Sequence, residues 1–141
     1  MSEPRPPRHL LRSIGAVFAG LVAIFILSIG TDAVLHAGGV YPPPGQPMAT
    51  GLWLLATAYR IVYGILGCYI AARLAPNRPM AHALVLGLIG VAISTAGGIY
   101  AWDKGPTYGP RWYAWVLVAI TLPSAWLGGK LHARRRVTAT V

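Results

Sequence analysis

The feature that most constrains the fold is an apolar run, residues 52–74, that is long enough to cross a membrane and contains one strong charge, Arg60. A guanidinium that faces lipid near the middle of a bilayer costs about 3 kcal/mol on insertion scales. Arg60 is therefore expected to face protein or water. When the run is drawn as a helix, small and polar residues share one face, against which we expect the other helices to gather: Ala56, Thr57, Arg60, Gly64, Gly67 and Ala71.

Three further apolar runs, residues 13–36, 80–101 and 111–131, reach the length of about 20 residues that a membrane span needs. The chain is 55% apolar and only 11% charged, which is more apolar than a soluble domain accommodates. The sequence therefore predicts an all-α polytopic membrane protein with one domain, residues 13–131, in which four transmembrane helices form an antiparallel bundle.

A basic arm, residues 1–12, precedes this domain, and a basic tail, residues 132–141, follows it. A basic arm before an apolar run is also typical of a secretory signal. However, this run is long for a signal, and no A-x-A-like cleavage site follows it. We therefore interpret residues 13–36 as the first transmembrane helix.

The cations indicate how the spans are oriented, because loops rich in Lys and Arg stay in the cytoplasm. Only Lys104 and Arg111 lie on one side, whereas nine cations lie on the other: Arg5, Arg8, Arg12, Arg73, Arg78, Lys130, Arg134, Arg135 and Arg136. Both termini are thus predicted to be cytoplasmic. This placement also explains the net charge of +9 by topology and by anionic lipid at the cytoplasmic face, and it argues against nucleic acid as a partner.

Aromatic residues cluster at the boundary opposite to the cations. An interfacial belt of Trp and Tyr is typical of such a boundary. The predicted belt contains Tyr41, Trp53, Tyr100, Trp102, Tyr108, Trp112, Tyr113 and Trp115.

Asp32, near the outer end of the first helix, is the predicted partner of Arg60. Side chains lean toward the N-terminus of their own helix, so these two lean toward each other in antiparallel neighbours. Pairing removes most of the cost of each isolated charge. Ser28 and His36 lie four residues on either side of Asp32 on one helical face. The predicted polar site contains Ser28, Asp32, His36, Tyr59, Arg60 and Tyr63.

Small residues predict where the helices pack, since helices in lipid associate where small side chains let backbones approach. The predicted packing positions are Gly64, Gly67, Gly87, Gly90, Ser94, Gly97 and Gly128. One such stripe could instead serve a second copy of the chain or another membrane protein. The similarity of residues 66–68 to residues 127–129 also leaves open a duplication of two hairpins.

Motifs for catalysis and metal binding are absent from the sequence. It has no H-E-x-x-H, phosphate-binding loop or G-x-S-x-G, and its three acidic residues leave no carboxylate pair for acid and base chemistry. Asp32 and His36 could supply two metal ligands on one face, but no third strong ligand lies near them. We therefore expect no metal, no cofactor and no enzymatic activity.

Three stretches, residues 30–36, the proline loop through residue 48, and residues 58–60, resemble small bacterial inner-membrane proteins that have four helices and no assigned activity. The resemblance implies a bacterial cytoplasmic membrane and names no substrate. Two functions fit the residues. The first is a structural or accessory bundle that Asp32 and Arg60 lock together. The alternative is a small, oligomeric transporter or channel whose polar site opens to the outer face.

Overall fold

The structure is a computed structural model, which describes residues 8–141. Four α-helices make up most of these residues: α1 (Arg8–Ala37), α2 (Thr50–Leu74), α3 (Pro79–Ala101) and α4 (Arg111–Ala139). Each of the four is long and apolar enough to cross a membrane. One turn of 3-10 helix, Pro106–Tyr108, lies in the loop before α4. The predicted all-helical class with four membrane-length helices is confirmed.

The helices differ from the predicted spans mainly near the two ends of the chain. Residues 8–12 of the predicted arm are helical and belong to α1, while residues 1–7 of that arm lie outside the described residues. α4 continues past residue 131 to Ala139. A run of apolar residues predicts only the part of a helix that lies in an apolar surrounding. Backbone hydrogen bonds can continue the helix into the polar residues beyond that run.

Proline shapes the start of α3 and is tolerated inside α4. Pro79 occupies the first turn of α3, where its missing N–H costs no helical hydrogen bond. Arg78, just before it, adopts a left-handed conformation with φ of 42°, which sharpens the turn from α2. Pro123 lies inside α4 without ending the helix.

α2 lies at the centre of the bundle, because it contacts each of the other three helices. α1 packs along α2, and α3 packs along α4, whereas α1 and α3 meet over a much shorter stretch. The predicted inward face of α2 is confirmed by its buried residues, Ala56, Thr57, Gly67 and Ala71. Its opposite face exposes Leu54, Leu55 and Val62.

Glycines set the closest approaches between helices. A Cβ built on Gly20 of α1 would lie 2.5 Å from the carbonyl oxygen of Gly67 in α2. A Cβ on Gly128 of α4 would lie 2.5 Å from the carbonyl oxygen of Ile65. Distances this short allow no side-chain atom, so α1 and α4 both approach the backbone of α2 more closely than any larger residue permits.

Three further predicted positions lie against α4. A Cβ on Gly87 would be 2.6 Å from the Cβ of Ala125, and one on Gly90 would be 2.8 Å from the Cγ2 of Thr121. A Cβ on Gly64 would make an ordinary contact of 3.6 Å with Ser124.

The prediction is wrong for Gly97, which has no atom within 4 Å of its virtual Cβ. Gly98 faces α4 instead, with its virtual Cβ 2.8 Å from the Cβ of Ala114. Neighbouring positions are separated by about 100° around a helix, so only one of the two glycines can face α4. The rotation of α3 about its axis where it crosses α4 decides which glycine faces α4. The spacing of small residues in the sequence does not determine this rotation.

Candidate functional site

Asp32 and Arg60 form an ion pair that joins α1 to α2. Nη2 of Arg60 donates a hydrogen bond of 2.9 Å to Oδ2 of Asp32. Asp32 lies in the last two turns of α1, and Arg60 lies in the first half of α2. Each charge therefore has its counter-ion on the neighbouring helix, which removes most of the cost of leaving it in an apolar surrounding.

Tyr59 binds the other oxygen of the same carboxylate. Its hydroxyl donates to Oδ1 of Asp32, and the hydroxyl of Tyr41 lies 3.0 Å from that of Tyr59. Two consecutive residues of α2 thus hold both carboxylate oxygens of Asp32. Tyr41, a residue of the predicted interfacial belt in the loop after α1, extends the hydrogen-bond chain.

Tyr63 reaches α1 at a different point. Its hydroxyl lies 2.7 Å from Oγ1 of Thr31, which also donates to the carbonyl oxygen of Leu27 at 2.7 Å. Tyr63 therefore forms a second polar link between α1 and α2 and does not contact Asp32. Thr31 was not among the predicted site residues. The sequence does contain a signal for it, because Thr31 precedes Asp32 on α1 and Tyr63 follows Tyr59 by four residues on α2.

His36 does not approach the carboxylate of Asp32. Its Nδ1 lies 2.7 Å from the backbone carbonyl oxygen of Asp32, and its exposed ring packs edge-on against Tyr41, with centroids 5.3 Å apart. The prediction that the side chain of His36 joins the polar site is therefore corrected. The carboxylate of Asp32 turns toward Tyr59 and Arg60 on α2. The ring of His36 therefore contacts the main-chain oxygen of Asp32 instead.

An aromatic cover shields the ion pair on the side of the loops. It consists of Tyr41 and Tyr113, which are 5% and 8% exposed and cluster with Ala56, which is 3% exposed. The ring of Tyr113 packs against Trp53 at a centroid distance of 4.8 Å, and the guanidinium carbon of Arg60 lies 5.7 Å from the Tyr113 centroid. Arg60 thus also faces the π-system of a buried aromatic ring.

The burial of Tyr41 and Tyr113 corrects their assignment to the interfacial belt. A signal for Tyr113 was present in the sequence, because Leu117, Ser124 and Gly128 follow it on one stripe of α4. Ser124 and Gly128 of that stripe are buried, as Tyr113 is. Tyr41 lies in an irregular loop and carries no periodic signal, so helical spacing could not have placed it.

Two polar atoms of this region are buried and have no hydrogen-bond partner within the described part of the chain. They are Nε of Arg60 and the hydroxyl oxygen of Tyr113. Arginine has five N–H donors, and the carboxylate of Asp32 occupies one of them. The polar site therefore has more donors than its acceptors satisfy.

A cavity of about 280 Å³ lies directly beside the ion pair, between the four helices. Asp32 and Arg60 line the end of the cavity nearest the aromatic cover, and Ser28 and Ser94 contribute hydroxyls to walls that are otherwise mostly apolar. The exposed residues of its lining lie on α1 and α3: Phe25, Ile29 and Ile93. The cavity thus opens sideways, between α1 and α3, which meet over only a short stretch.

Of the six residues predicted for the polar site, the structure joins Asp32, Tyr59 and Arg60 through direct hydrogen bonds. Ser28 shares the cavity with the ion pair, Tyr63 forms the separate link to α1, and His36 lies outside. Within residues 8–141 no group of three His, Cys, Asp or Glu side chains is arranged to hold a metal ion. Comparison of the chain with protein-family models, curated proteins and solved structures gives no match.

Proposed function

We propose that the chain is a non-enzymatic, multi-pass membrane protein that serves as a structural or accessory bundle, with Asp32 and Arg60 as the lock between α1 and α2. The observation that supports this most strongly is that Tyr59 and Arg60 together engage both carboxylate oxygens of Asp32. Because Arg60 already balances the charge of this carboxylate, a second cation that must bind and leave would be attracted only weakly. The contacts of the carboxylate are those of a fixed structural group.

The proposed location is the cytoplasmic membrane of a bacterium, with antiparallel helices and both termini in the cytoplasm. The nine cations that flank one end of the spans support this orientation through the positive-inside rule. Resemblance to small bacterial inner-membrane proteins supports the choice of membrane.

Labelling of single cysteines tests this orientation. Gln46→Cys and Thr107→Cys place thiols in the first and third loops, and Asn77→Cys places one in the second. The native Cys68 is only 3% exposed, so it contributes little background. On intact cells, a membrane-impermeant maleimide should label the first two variants and leave Asn77→Cys unlabelled. The opposite pattern would refute the orientation.

The proposed partners are the bilayer itself and anionic lipids at its cytoplasmic face. The exposed cations at the end of α4, Arg134, Arg135 and Arg136, support this proposal, because each cation near an anionic surface contributes about 1 kcal/mol. We also propose that the lipid-facing side of the bundle accepts a second copy or another membrane protein. Nucleic acid is not among the proposed partners.

The cavity favours a second candidate, a small oligomeric transporter or channel, because Asp32 and Arg60 line its wall. In that case, the pair would bind or gate a solute that enters from the outer face. Tyr41 and Tyr113 cover the pair on the loop side, so this candidate requires the aromatic cover to move. The lock requires no such movement.

Asp32→Asn and Arg60→Lys distinguish the two candidates. If the pair is a lock, each variant should lower the free energy of unfolding of the purified protein by about 2 kcal/mol, the scale of a hydrogen bond to a charged group. Asp103→Asn is the matched control, because Asp103 is exposed in a loop, and its effect should stay within about 0.5 kcal/mol. Unchanged unfolding with loss of solute flux in vesicles would favour transport instead.

A further inference from the structure

The unpaired N–H donors of Arg60 favour one kind of ligand for the cavity beside it. Both oxygens of Asp32 are hydrogen-bonded, whereas Arg60 makes one hydrogen bond within residues 8–141. Its side chain remains 33% exposed and lines the cavity. An occupant of the cavity would therefore meet unpaired N–H donors of a charged group, beside the hydroxyls of Ser28 and Ser94. This favours a molecule that carries a hydrogen-bond acceptor and disfavours a cation.

The remaining lining selects an apolar body for that molecule. Leu86, Leu117 and Ile120 are among the aliphatic walls, and the hydroxyls of Thr121 and Ser124 already donate to carbonyl oxygens of their own helix. The volume of about 280 Å³ lies just below the range for small-molecule pockets, about 300–1,000 Å³. The cavity thus fits a small, mostly apolar molecule.

The side opening gives such a molecule its route. Phe25 and Ile29 of α1 and Ile93 of α3 are exposed at the rim of the cavity. If the helices span a membrane as proposed above, this rim faces the hydrocarbon of the bilayer. A molecule dissolved in the bilayer can enter there without displacing the aromatic cover.

We propose that this cavity binds a small lipid-soluble molecule whose carbonyl oxygen accepts a hydrogen bond from Arg60. The occupant is neutral, because Asp32 already balances the guanidinium charge, and an added anion would have to leave water for hydrocarbon at a large cost. This binding site is independent of whether the ion pair acts as a lock. It rests on the proposed membrane location, through the side opening and through the cost of bringing an anion into hydrocarbon.

Photocrosslinking with benzophenone tests the proposal, because benzophenone is a small apolar ketone that forms adducts with nearby C–H groups on irradiation. The purified full-length protein is irradiated in lipid nanodiscs, and mass spectrometry locates the adducts. We expect adducts within residues 25–29 of α1 and residues 93–94 of α3. Dicyclohexyl ketone should compete at least about tenfold better than dicyclohexylmethane, which has the same shape but lacks the oxygen. Equal competition would overturn recognition of the carbonyl by Arg60.

Two variants that leave Arg60 unchanged test whether the adducts arise from binding inside the cavity. Ser94→Leu fills part of the lining and should reduce the adducts at least about fivefold. Ala96→Leu adds an equally large side chain at an exposed position of the same helix and should leave them unchanged. Undiminished labelling of Ser94→Leu, or adducts spread evenly over the exposed faces of the helices, would overturn the site. The lock would stand in either case, because its test measures unfolding.

Discussion

Replacement of Gly20 by alanine tests the packing of α1 on α2 quantitatively. The new Cβ would lie 2.5 Å from the carbonyl oxygen of Gly67 and 2.7 Å from Cδ2 of Leu86. Leu86 can change its rotamer, but a backbone oxygen in a helix cannot. To restore a normal contact of about 3.5 Å, α1 must move away from α2 by about 1 Å. Overpacking of this kind costs about 1–3 kcal/mol.

Gly15→Ala is the matched control on the same helix. No atom lies within 4 Å of the Cβ built on Gly15. Both substitutions gain the same helix propensity, up to about 1 kcal/mol for alanine over glycine. This gain cancels in the difference between the two variants. Gly20→Ala should therefore be about 1–3 kcal/mol less stable than Gly15→Ala.

The assay is the reversible unfolding of the purified protein in mixed micelles, followed by helical circular dichroism as the fraction of SDS is raised. The free energies of unfolding of the two variants are compared with that of the wild-type protein under identical conditions. If Gly20→Ala is as stable as Gly15→Ala, α1 does not pack on α2 at this point. The proposed crossing at Gly20 and Gly67 would then be wrong.

Two further pairs of substitutions test the remaining contacts with the same assay. Tyr59→Phe should lower the free energy of unfolding by about 1.5–3 kcal/mol because it leaves Oδ1 of Asp32 without its donor. Tyr63→Phe should cost only about 0.6 kcal/mol, the average for a hydrogen bond between membrane helices, and equal effects would contradict the central position of Tyr59. Gly98→Leu should destabilise the contact of α3 with α4 at Ala114, whereas Gly97→Leu should leave stability within about 0.5 kcal/mol. The reverse order would show that Gly97 is the packing residue after all.

The inward face of α2 could be predicted because two simple physical rules determine it. Arg60 cannot face lipid cheaply, and helical periodicity then fixes which of its neighbours share its face. The meeting of Asp32 with Arg60 follows in the same way, from the lean of side chains in neighbouring helices that are predicted to run in opposite directions. Neither inference needs the positions of α3 or α4.

Other parts of the site depend on quantities that the sequence does not carry. Gly97 and Gly98 differ only in the rotation of α3 against α4. Tyr41 reaches Tyr59 through the path of an irregular loop, and no periodicity reports that path. His36 was placed by its spacing from Asp32, but spacing on one helix does not say which way a side chain turns. Helical periodicity thus predicts which residues share a helix face. The paths of loops and the rotamers of side chains determine the polar contacts, and periodicity does not predict them.

The most direct measurement is the stability of the exchanged pair, Asp32→Arg with Arg60→Asp. Each single substitution places two like charges side by side and should lower the free energy of unfolding by at least about 2 kcal/mol. If the attraction between these two positions holds α1 against α2, the double variant should recover at least half of the summed loss. A double variant whose loss equals the sum of the two single losses would show that the positions act independently, and the lock would be refuted.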